Sequence, residues 1–148
     1  MKFPPVSVDQ LLGLLKAVYS LGGKADAMHV SNAISTGLGG LPLAIDAAEM
    51  LGLIRARGGD LELTEAGRAA VSGPLRELQK YLRAKLRDIE PFASLLRLVG
   101  ELKRVEITRV AELLRSEGYS EEGAQRVLEW AVFAQLVEIS EGAWVVLA

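Results

Sequence analysis

Two stretches of this chain share one pattern, and that pattern restricts the fold more than any other feature. Leu53 to Leu63 (LIRARGGDLEL) aligns without a gap with Leu136 to Val146 (LVEISEGAWVV), and Gly59 falls on Gly142. Each stretch is a short apolar run, a glycine-bearing turn and a second run, which predicts a β-hairpin. One helix earlier, Val30 to Ile34 lies against Val110 to Leu114. A pattern that recurs this way predicts two copies of one small unit.

Helical signals fill the rest of both copies. In the first, Ser7 to Leu21 has a capping-box spacing at Ser7 and Gln10 and an apolar face of Leu11, Leu12, Leu15, Val18 and Tyr19. Gly22-Gly23 ends it. Ala25 to Ser35 reads as a second helix, with Met28, Val30, Ala33 and Ile34 apolar. Gly37-Leu38-Gly39-Gly40 breaks it, and Leu41 to Leu51 is a third. The hairpin is Leu53 to Arg57, the turn Gly58-Gly59-Asp60, and Leu61 to Leu63. Thr64 then caps a short helix, Glu65 to Val71. In the second copy the helices are Pro91 to Leu102, Thr108 to Glu117 and a third capped by Ser120. Its hairpin turns at Ser140-Glu141-Gly142. The expected fold class is mainly α with small β-hairpins (α+β), as two winged-helix-like modules joined by a long helix. The modules are assigned to residues 1–73 and 91–148, with the connecting helix at 74–90.

That connecting stretch, PLRELQKYLRAKLRDIE, is the only strongly basic part of a slightly acidic chain. The net charge is −2 over 148 residues, and it distributes as −1 for residues 1–73, +2 for 74–90 and −3 for 91–148. Pro74 fits a first helical turn. Leu75, Leu78, Leu82, Leu86 and Ile89 share one face, and Arg76, Lys80, Arg83 and Arg87 form a stripe on another. Two readings of the stripe stand: a solvated face, or a docking surface for an acidic partner or a phosphate backbone. Pro91 disfavours helical geometry at Glu90, so the helix should stop or kink there.

Composition narrows the classes. Half of the residues are apolar and few are aromatic, which predicts a core of Leu, Val, Ile and Ala. No cysteine is present, which excludes disulfides and thiolate metal sites and fits an intracellular, cytoplasmic protein. No apolar run approaches the roughly 20 residues that span a bilayer. Arginine outnumbers lysine and Asn32 is the only asparagine, a composition that leans towards a thermophilic source. His29 is the only histidine, so a histidine-rich metal site is not expected. Gly23-Lys24 lacks the earlier glycine of a phosphate-binding loop, since position 18 is Val18. Gly37-x-Gly39-Gly40 follows a helix, not the strand a dinucleotide fingerprint requires. Trp130 and Trp144 read as core. The expectation is a chain with no catalytic residues, no cofactor and no metal.

A winged helix invites a DNA reading, in which the third helix meets the major groove. Here Leu41 to Leu51 carries only Asp46 and Glu49 as charges, and the third helix of the second copy carries Glu121, Glu122, Arg126 and Glu129. A duplex would repel both. Arg55 and Arg57 on the first hairpin, with Arg76, Lys80, Arg83 and Arg87, are the candidate contacts to an anionic partner or nucleic acid.

The run Leu41 to Leu86 resembles the AAA-associated C-terminal domain that follows the ATP-binding subunit of nitrate, sulfonate and taurine-type ABC transporters. The resemblance rests on Ala47-Ala48-Glu49-Met50-Leu51-Gly52, on Leu63-Thr64-Glu65-x-Gly67-Arg68, and on the basic helix after them. Val8 to Gly23 is similar to that family's opening helix. The resemblance implies a regulatory or interaction module that brings no catalytic residues; here no ATPase motif accompanies it. Two functions follow as expectations. One is a non-enzymatic module binding a protein, either a transporter ATPase or its own copy. The other is a DNA-binding transcriptional regulator.

Overall fold

The computed structural model describes residues 2–34 and 40–148. It is mainly helical, with two small antiparallel sheets. The chain divides into two compact units, Val8–Leu78 and a second made of residues 2–7 together with Gln79–Ala148.

In the first unit the order is α1 (Val8–Ser20), β1 (Lys24–Asp26), α2 (Ala27–Ala33), α3 (Leu41–Met50), β2 (Ile54–Arg57), β3 (Asp60–Leu63) and α4 (Glu65–Ser72). The element α5 (Leu75–Leu86) carries the chain onward. The second unit repeats the order with α6 (Phe92–Leu102), β4 (Arg104–Glu106), α7 (Ile107–Ser116), α8 (Glu121–Phe133), β5 (Val137–Ser140) and β6 (Trp144–Leu147). Each sheet has three strands, in the orders β1-β3-β2 and β4-β6-β5. The β1 and β4 strands join the two expected hairpins. Lys24-Ala25-Asp26 and Arg104-Val105-Glu106 are too short to show alternation in sequence.

The matched positions behave alike. Val30 and Val110 are both buried, as are Leu53 and Leu136. The gap-free alignment fails after the turns, however. Arg57 pairs with Asp60 across the two-residue turn Gly58-Gly59, so Asp60 belongs to the strand and not the turn. Ser140 pairs with Trp144 across three residues, Glu141, Gly142 and Ala143. The second turn is therefore one residue longer. Gly58 and Gly59 have φ of 57° and 89°, left-handed backbone that suits the twist of a two-residue hairpin.

Capping follows the side chains. Thr64 Oγ1 accepts from Gly67 N at 3.0 Å, and Ser120 Oγ accepts from Gly123 N at 3.0 Å. Asp26 Oδ1 accepts from Met28 N at 2.8 Å and His29 N at 3.1 Å, starting α2 two residues after the expected Ala25. The far end of that expected helix, and the Gly37-Leu38-Gly39 part of the expected turn, lie outside the described residues. Gly40 precedes α3 with φ −90°.

The core of the first unit includes Leu11, Leu14, Leu15, Val18, Ala47 and Leu53; that of the second includes Phe3, Phe92, Leu95, Leu114 and Trp130. Apolar expectations at Met28, Ala33, Tyr19 and Trp144 are corrected, Ala33 being exposed. Met28 is 74% exposed, because the short α2 turns only Val30 inward. Tyr19 lies on the solvent side of α1. Trp144 is only half-buried, and the Arg104 guanidinium stacks on it with its carbon 4.1 Å from the ring centroid.

Candidate anionic-partner surface

Arg55 and Arg57 are exposed on β2, which forms an edge of its sheet. Register decides what they can do. Arg55 pairs with Glu62, which pairs in turn with Lys24; Arg57 pairs with Asp60, which pairs with Asp26. Side chains in one cross-strand row share a face. The two rows together carry as many carboxylates as cations, so this face presents little net positive charge.

The other candidates belong to α5 and the turn after it. Leu82 and Leu86 are fully buried, as the apolar stripe requires, but Leu75 in the first turn is 57% exposed. The helix stops at Leu86, four residues before Glu90 and the cis Glu90–Pro91 peptide bond. Arg87 therefore follows the helix. Arg76, Lys80 and Arg87 are exposed, and no carboxylate among the described residues lies within ion-pair distance of them.

Arg83 departs from the stripe. It is half-buried, with Nε donating to the Ala134 carbonyl at 3.3 Å and Nη2 to Gln135 Oε1 at 2.8 Å. Gln79, one turn earlier, donates to the Phe133 carbonyl at 3.0 Å. The last carbonyls of a helix lack intrahelical partners. Gln79 and Arg83 thus satisfy the end of α8, and Arg83 complements the negative end of its dipole. The sequence stripe could not show this, because the partners are main-chain atoms more than fifty residues away.

Arg83 and Arg87 also border an open groove of about 630 Å³ whose lining mixes Leu96, Val132, Leu136 and Leu147 with Gln135 and Glu138. Val132 of α8 and Leu147 of β6 are exposed there. The outward charges of the third helices are as the sequence gives them: Asp46 and Glu49 on α3, and Glu121, Glu122 and Glu129 on α8, are all exposed. Arg126 pairs with Glu122 at 2.8 Å. Among the described residues no group of three His, Cys, Asp or Glu side chains could hold a metal ion, and no helix is long and apolar enough to cross a membrane.

Paired helix-and-sheet units with a partly uncancelled basic helix define the class: a mainly helical α+β chain with repeated architecture. Residues 28–140 match the family described as the C-terminal AAA-associated domain, and the chain belongs to that family. No curated protein and no solved structure matches it. The match takes in α3 through β5 and so contains every basic candidate named above.

Proposed function

We propose that this chain is a non-enzymatic interaction module that binds an acidic protein surface, as a partner of the transporter-type ATPases its family resemblance implies. The observation that carries this reading is the exposure of Arg76, Lys80 and Arg87 without ion-pair partners among the described residues, in a chain whose net charge is −2. Cations that no carboxylate relieves are available to one supplied by a partner, and such pairs steer association more than they add affinity. The family match supports an ATPase-associated role.

The order helix, strand, helix, helix, hairpin, with the first strand paired to the last, is read as a winged helix in each unit. The DNA-regulator reading draws on that architecture. It is opposed by the exposed carboxylates of α3 and α8 and by the Glu62 and Asp60 rows beside Arg55 and Arg57.

Titration of the chain with poly-L-glutamate, followed by calorimetry, tests the acidic-partner reading. Saturable binding is expected, weakened about tenfold or more by the triple change Arg76→Glu, Lys80→Glu and Arg87→Glu, with added salt having the same direction of effect. Binding that the triple change leaves untouched would refute the assignment of these residues.

A further inference from the structure

Residues 2–6 (Lys-Phe-Pro-Pro-Val) form no helix and only a single bridge, Lys2 to Glu90, yet they are held along their length by the second unit. Phe3 N–H donates to the Glu90 carbonyl at 2.8 Å, and the Tyr119 hydroxyl donates to the Phe3 carbonyl at 2.7 Å. The Arg126 guanidinium donates to the Pro5 carbonyl at 3.0 Å, and the Trp130 indole N–H to the Val6 carbonyl at 2.8 Å. These four contacts reach the main chain of the segment, three of them from side chains. They fix the path of a strand without reading its sequence.

Three further contacts read side chains. The Phe3 ring lies edge-to-face against Phe92 and Trp130, with centroids 5.3 Å away in both cases, and is 1% exposed. Pro5 rests over Gly123, where a Cβ would come within 3.2 Å of the Pro5 ring. The Lys2 ammonium bonds the Glu117 carbonyl at the C-terminal end of α7, with the Glu117 carboxylate 3.4 Å off. There it meets the negative end of a helix dipole.

Core packing alone does not call for this arrangement. The buried Trp130 indole N–H and the half-buried Tyr119 hydroxyl and Arg126 guanidinium reach carbonyls at separate points along the extended segment, Arg126 while also paired with Glu122. A buried donor left without an acceptor is costly, so the Trp130 indole N–H in particular favours an occupant of the line. Aromatic pockets flanked by donors to the peptide backbone are how proteins capture extended, proline-containing segments.

We infer that this line of Glu90, Phe92, Tyr119, Arg126 and Trp130 is a peptide-recognition slot for a segment of the pattern basic–aromatic–Pro–Pro–aliphatic. Residues 2–6 are its built-in ligand, and they compete for the slot with such a segment on another chain. Phe3 is the anchor, and the prolines lower the ordering cost because their φ is already fixed. This inference does not rest on the reading of the α5 cations, and its test leaves that reading untouched.

The probe is a fluorescein-labelled peptide with the sequence of residues 1–8, followed by anisotropy against the full chain and against its Phe3→Asp variant. The variant is expected to bind the peptide saturably. The parent chain should bind about tenfold more weakly or worse, because its own segment is tethered at high effective concentration. Adding Tyr119→Phe to the variant should weaken binding, and a peptide with Asp in place of Phe should not bind. A folded Phe3→Asp chain that ignores the peptide, or a parent chain that binds it equally well, overturns the inference. Should the variant lose its helical circular dichroism, the chain lacking residues 1–6 is titrated with the peptide instead. Structure regained on adding the peptide supports the slot, and no gain contradicts it.

Discussion

At Gly67 the missing side chain is what the local structure needs. A Cβ built there would lie 2.1 Å from the Leu53 carbonyl oxygen, a backbone atom that cannot swing aside. Thr64 fixes this approach: its N–H donates to that same carbonyl at 3.1 Å, and its hydroxyl donates to the Gly52 carbonyl at 2.7 Å while capping α4. The Leu63-Thr64-x-x-Gly67 element is therefore a clasp between the start of β2 and the start of α4. Gly67→Ala should destabilise the chain by about 3 kcal/mol, the upper range for forced overpacking, as read from urea unfolding. An unchanged midpoint would remove the clasp from the account. Tyr119 makes a second prediction at this scale. Burial, with the Glu117 and Glu90 carboxylates nearby, pushes its phenol up to about 12. A raised folded value means that the protonated form is favoured in the folded state, so this contribution is whole below about pH 10 and is lost as pH rises towards 12. Phenolate absorbance should show a step near pH 12 that Tyr119→Phe abolishes.

Comparing the elements of the two units explains what could be read from the sequence and what could not. The helices declared themselves: the periodicity of α1, α3, α6 and α8, the Thr64 and Ser120 caps and both hairpins all stand close to where their residues place them. The β1 and β4 strands did not, and the second unit marks its turns less plainly. At corresponding positions the first unit uses Gly23, Gly52 and Gly58, and the second uses Lys103, Gln135 and Glu141, all at positive φ. Lysine and glutamine at such positions carry no turn signal, and Glu141 is marked only by the Gly142 after it, so the repeat looks weaker in sequence than in structure. Those side chains sit in backbone that costs an L-residue about 1 kcal/mol or more. Lys103, at φ 69° and ψ −41°, is the least natural of them. Lys103→Gly should therefore raise stability by about 1 kcal/mol, seen as a higher melting temperature, despite the flexibility glycine adds to the unfolded chain. A lower melting temperature would show that Lys103 makes a contact worth more than its strain. Of the six basic candidates, exposure was legible for five; the engagement of Arg83 with the end of α8 was not, because long-range hydrogen bonds to main-chain carbonyls leave no trace in a helical wheel. The slot for residues 2–6 was missed for the same reason, although Phe3-Pro4-Pro5 in an aromatic-poor chain was a signal available to find it.

Over the whole molecule, charge separates the two functional readings better than architecture does. The third helices point carboxylates outward in both units, the β2 cations lie in rows with Glu62 and Asp60, and Arg83 is engaged internally. Of the six candidates, Arg76, Lys80 and Arg87 remain exposed with no ion-pair partner among the described residues. The measurement that tests this most directly is the salt dependence of binding to a generic labelled duplex DNA, from about 50 to about 200 mM salt, by anisotropy. No saturable binding is expected even at the low end. A binding constant that falls steeply with salt, and that vanishes with Arg76→Glu, Lys80→Glu and Arg87→Glu together, would contradict the protein-partner reading and make this chain a DNA-binding module.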